Sequence, residues 1–115
     1  MGVDRRPIDQ MVLDVGDEAF QRLARLFEEE TRGAVLELRR LLRARDWREL
    51  GRNAHSLKHA TSSFGLTELA AVAAQIENAA DAQRAAEAEA RLAVLEEAAD
   101  ADLTELDRLL KSIAG

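Results

Sequence analysis

Residues 46–65 read DWRELGRNAHSLKHATSSFG, and the spacing within this stretch decides the fold class. Trp47, Leu50, Ala54, Leu57, Thr61 and Phe64 recur every three or four positions, the one-face pattern of an amphipathic helix. Asp46 is placed as its N-cap, and Gly65 stops it, as glycine does just past a helix C-terminus.

The same period continues on both sides. Upstream, Asp17 is a candidate cap with Glu18 in the first turn, and Phe20, Leu23, Phe27, Thr31, Ala34, Leu38 and Leu41 mark the inner face of a long helix. Gly33 inside it costs roughly 1 kcal/mol relative to alanine and predicts a kink or break there. Ile8, Met11, Val12 and Val15 predict a short helix between Pro7 and Gly16. Downstream, Thr67 and Glu68 open a helix with the apolar face Leu69, Val72, Ala73, Ile76 and Ala80. A last helix runs from about Gln83 to Ser112, its inner face Ala88, Leu92, Leu95, Ala99, Leu103, Leu106, Leu110 and Ile113. Short turns between substantial helices predict an all-α, antiparallel up-down-up-down four-helix bundle with a short extra N-terminal helix. At 115 residues the expectation is a single domain over 1–115, and the initiating Met favours a free-standing protein.

Composition narrows the function classes. Ala, Leu, Glu and Arg dominate while β-branched and aromatic residues are scarce, which favours helix almost throughout. The absence of cysteine excludes disulfides, thiol catalysis and cysteine-ligated zinc. A net charge of −6 argues against nucleic acid as a partner, although the sixteen basic residues leave room for a local cluster. The start, MGVDRRPIDQ, has no long apolar stretch, so neither signal peptide nor membrane anchor is expected and the location is expected to be cytoplasmic.

The two histidines, His55 and His59, both fall on the 46–65 helix. At about 100° per residue, His55 points roughly 130° away from the apolar stripe and His59 still more directly outward. Gly51 lies one turn before His55, Lys58 one turn after and Ser62 two turns after, with Arg48 and Arg52 flanking the strip. The pattern is an accessible imidazole with an open side at Gly51 and an ammonium nearby. Lys58 is placed to offset the charge of a phosphoryl group by a charge-assisted hydrogen bond. His55 and His59 also form an H-x-x-x-H pair, but the glutamate of the zinc-protease motif is missing and Lys58 repels a cation, so no metal site is expected. Glu28, Glu29 and Glu30 read as a solvated helix face.

The segment Ala54-His55-Ser56-Leu57-Lys58, followed by Phe64-Gly65-Leu66, Leu69 and Glu77, resembles the signature of the histidine-containing phosphotransfer (HPt) family. The likeness extends to Phe27-Glu28-Glu29-Glu30 and to Asp46-Trp47. The resemblance implies a phosphorelay protein of two-component signalling that carries a phosphoryl group on His55 between aspartates of response-regulator receiver domains. It implies further that Lys58 stabilises the group and that Glu77 orients the imidazole. Receiver domains and a hybrid sensor kinase are the implied partners, docking over Ile8, Met11 and Val12 with Arg48, Arg52 and Lys58 facing an acidic pocket. The receiver would bring its own Asp and Mg²⁺, so the chain itself would need no cofactor, have no autonomous kinase activity and act as a monomer. One departure stands out: His59 occupies the place of the family's usual glycine, beside the site. The alternative from another class is a helical interaction or dimerisation module, using the alanine-rich outer face of Ala70, Ala71 and Ala74.

Overall fold

The computed structural model describes residues 3–114, with the backbone alone at 113 and 114, so the expected inner-face side chain of Ile113 lies outside the described residues. Among the described residues five helices follow one another: α1 Arg5–Val15, α2 Asp17–Ala44, α3 Trp47–Ser63, α4 Thr67–Asp81 and α5 Ala85–Ala114. α2 packs against α3 and α5, and α4 packs against the same two, which closes a four-helix ring; α1 lies on α2. The all-α antiparallel bundle with a short extra N-terminal helix is therefore the observed architecture. No described helix is long and apolar enough to cross a membrane.

Local chemistry explains the boundaries. Asp4 caps α1 by accepting from the Arg6 N–H at 3.0 Å, so the helix starts ahead of Pro7, which sits in the first turn where its missing N–H costs nothing. Asp17 is the first residue of α2, not its cap; Gly16 holds that position, at a φ of 83°. Arg45 ends α2 in the left-handed region, and Asp46 then caps α3 by accepting from the Glu49 N–H at 3.3 Å. Gly65, at φ +75°, lets the chain reverse from α3 into α4, with the Leu66 N–H returning to the Thr61 carbonyl at 2.9 Å. The last helix opens at Ala85, two residues later than expected, because Gln83 takes a positive φ of 54° and the Arg84 N–H still bonds back to Ala79.

The core is aliphatic: Leu38, Leu50, Leu69, Ile76, Leu92, Leu95, Leu103 and Leu106 are at most 1% exposed. Each such side chain contributes about 1.5–3 kcal/mol by leaving water. Three expectations need correction. Leu23 is 45% exposed and Ala24 takes its inward place, since the three-and-four pattern allows either neighbour to face in. No break occurs at Gly33: α2 runs as one helix through it and packs along its length against α3 and α5. Ile8, expected on an exposed docking surface, is 1% exposed and belongs to the core.

Candidate functional site

The site is built where α3 passes closest to α4. Gly51 is buried, and a Cβ there would meet Asp81 Oδ1 at 3.2 Å and the Ala80 Cβ at 3.7 Å. Its lack of a side chain thus serves helix packing, in addition to the open space beside His55 that was expected of it. One antiparallel turn further along, the close approach brings Glu77 of α4 under His55 of α3. Glu77 Oε2 lies 2.9 Å from His55 Nδ1, and Glu77 Oε1 lies 3.2 Å from Lys58 Nζ. A single carboxylate therefore bridges the imidazole and the ammonium.

Electrostatics fixes what this bridge does. Partial burial opposes ionisation of Glu77, but the hydrogen bonds from Lys58 and His55 outweigh it and hold the carboxyl below the usual carboxylate range. An ionised carboxylate only accepts, so His55 Nδ1 carries the hydrogen, and in the neutral imidazole Nε2 is left with the lone pair. The His55 side chain is 49% exposed. It does not stand alone: His59 Nε2 lies 3.1 Å from His55 Nε2, with the two rings edge to face at 4.5 Å between centroids.

Arg48, Gly51, Arg52, His55, Ser56, Glu77 and Asp81 line an open groove between α3 and α4. His55, Lys58, Glu77 and His59 thus form one bonded cluster, with Arg48, Arg52 and Gly51 in the adjoining groove. Ser62 is exposed two turns along α3 and lines no part of that groove. Ser56 and Asp81 complete the lining and were not among the residues expected from the sequence. Asp81 was findable: it follows Glu77 by four residues, one turn along the same face of α4.

On the other flank of α3, Met11, Leu23, Leu26, Phe27, Glu30, Ala60, Ser63 and Phe64 surround a shallow apolar depression. Phe27 and Phe64 stack there with centroids 4.1 Å apart. Met11 and Val12 are half-buried against the core, while Leu26 is 52% exposed. Of the three docking candidates on α1, Met11 borders this surface, and Ile8 is buried in the core.

The Hpt domain model matches residues 22–114, and the chain belongs to that family. Members of the family are phosphotransfer modules of two-component signalling, phosphocarriers that interact with response-regulator receiver domains. No curated protein and no solved structure matches the chain. Among the described residues no group of three or more His, Asp or Glu side chains is arranged to hold a metal ion.

Proposed function

We propose that this protein carries a phosphoryl group on Nε2 of His55, taking it from the aspartyl phosphate of one receiver domain and giving it to the aspartate of another. The observation that carries this reading is the 2.9 Å contact between Glu77 and His55 Nδ1, which leaves Nε2 as the nucleophile of an exposed ring. In the transfer, the Nε2 lone pair attacks phosphorus, a P–N bond forms, and the P–O bond to the aspartate breaks with its electron pair left on the carboxylate. Nδ1 keeps its proton throughout, and the positive charge that grows on the ring is balanced by Glu77 directly beneath it.

Lys58 rests on Glu77 in the free protein and, one helical turn from His55, turns toward the phosphoryl group once its negative charge arrives. Arg48 and Arg52 at the groove mouth suit the acidic pocket in which a receiver holds Mg²⁺ and its aspartate. The apolar depression around Met11, Leu26 and Phe64 suits a small transient interface whose affinity rests on a few anchors. A hybrid sensor kinase fits as the upstream donor, since the chain has no glycine-rich phosphate loop with which to use a nucleotide itself. The protein acts on this reading as a cytoplasmic monomer, free to shuttle between receivers.

Phosphorylation by a phosphoramidate, followed by intact mass before and after acid, tests the reading. One acid-labile phosphoryl group on wild type, absent from His55→Gln, is expected. The same adduct on His55→Gln, or none on wild type, would overturn the reading in favour of a helical interaction module.

A further inference from the structure

We propose that His59 is a second working imidazole of this site, a positioning residue whose Nε2–H holds the attacking lone pair at rest and then donates to the phosphoryl group. The inference rests on the reading of His55 as the phosphoryl carrier and goes beyond it. Its basis is the 3.1 Å separation of the two Nε2 atoms, short enough for a hydrogen bond. Two nitrogens cannot both accept. Glu77 already takes the Nδ1 hydrogen of neutral His55, so His55 Nε2 is the acceptor and His59 Nε2 is the donor. The tautomer chain therefore runs from His59 N–H to His55 Nε2, and from His55 N–H to the carboxylate.

Two consequences follow from that order. At rest the lone pair is directed along a defined line, and the ring of His55 is held at both ends, by α4 through Glu77 and by its own helix through His59. When the P–N bond forms, the lone pair is consumed and the His59 N–H loses its acceptor. The oxygens on phosphorus then stand next to it, so the bond is exchanged, not lost: N–H···N becomes N–H···O–P. No proton moves in this exchange, and the electron balance of the transfer is unchanged. The N–H···O–P contact must be given up before N–H···N can re-form on hydrolysis, which lengthens the life of the adduct.

His59→Phe keeps an aromatic ring and removes the donor, and His59→Gln replaces the ring with an amide N–H of similar reach. Imidazole ¹⁵N spectra of the free proteins and the hydrolysis lifetime of the phosphoramidate-made adduct are the two readouts. The expected result is a His55 Nε2 resonance displaced in His59→Phe, an adduct lifetime about fivefold shorter, and recovery of most of both losses in His59→Gln. An adduct on His55 with the same lifetime and the same Nε2 resonance in His59→Phe would overturn the role of His59 alone. No adduct on wild type would overturn the carrier reading and this role with it. Displacement of the Nε2 resonance without any change in lifetime would refute the contact with phosphoryl oxygen.

Discussion

At His55 the two ring nitrogens meet opposite chemistry: a carboxylate under Nδ1, and a second imidazole over Nε2. Removing the carboxylate frees the ring to rotate and to exchange tautomers, so a fraction of the molecules presents the wrong nitrogen. Glu77→Ala is therefore expected to slow formation of the phosphohistidine about tenfold, and Glu77→Gln less, because its carbonyl still accepts from Nδ1. The rate of adduct formation by intact mass checks this, and equal rates in wild type and Glu77→Ala would show that Glu77 does not orient the ring. The core of this cluster was legible in the sequence. His55 and Lys58 are one helical turn apart, and Glu77 matched a family position. The contact between His59 and His55 was not legible, because side chains four residues apart lie on neighbouring parts of one face without their rotamers being fixed by that spacing. Nor did the sequence show that Lys58 rests on Glu77.

Between helices, glycines do what side chains cannot. Gly51 lets α3 lie against Ala80 and Asp81, and that closeness is what puts Glu77 within reach of His55. Gly65 does a different job at the α3–α4 turn. Its φ is +75°, and an added Cβ would sit 2.0 Å from the Asp4 carbonyl oxygen, which is main chain and has little freedom to yield. The Asp4 N–H bonds to the Gly65 carbonyl at 2.6 Å, so the segment before α1 is tied to this turn. Gly65→Ala combines backbone strain with the clash and is expected to destabilise the fold by about 1–3 kcal/mol, read from the urea midpoint. A midpoint equal to wild type would mean that the segment before α1 detaches without cost. Gly65 was readable as a helix stop, but its contact with Asp4 was not, since nothing local links residues sixty positions apart. The packing role of Gly51 was hidden for the same reason: a wheel of one helix shows a gap, and only the neighbouring helix shows what lies against it.

Across the whole molecule, periodicity carried most of the architecture. Every expected inner-face residue of α4, and of α5 up to Leu110, is buried, because leucine and alanine at three-and-four spacing leave little ambiguity on long helices. Asp102 runs against that pattern. It is only 7% exposed among the leucines of α5, and its Oδ2 has no hydrogen-bond partner among the described residues. Burial pushes its pKa above the ordinary value of 3.8, and Glu68 and Glu105 add repulsion in the same direction. The native state thus holds this proton more tightly than the unfolded chain, so the associated stability is complete below pH 3.8 and is lost as pH rises through the folded-state pKa. Asp102→Asn removes the charge and is expected to gain about 1 kcal/mol at pH 7, with the gain shrinking as pH falls toward 3.8. Urea midpoints at the two pH values check this; a gain that stays constant with pH would place its origin outside the titration of Asp102. On the proposed reading the bundle as a whole serves to hold one imidazole with Nε2 as its nucleophile, and the most direct measurement is a long-range ¹H–¹⁵N correlation spectrum of the phosphorylated protein. Phosphorus on Nε2 of His55 with Nδ1 still bearing its hydrogen is the expected result; phosphorus on Nδ1, or on His59, would contradict the proposed transfer.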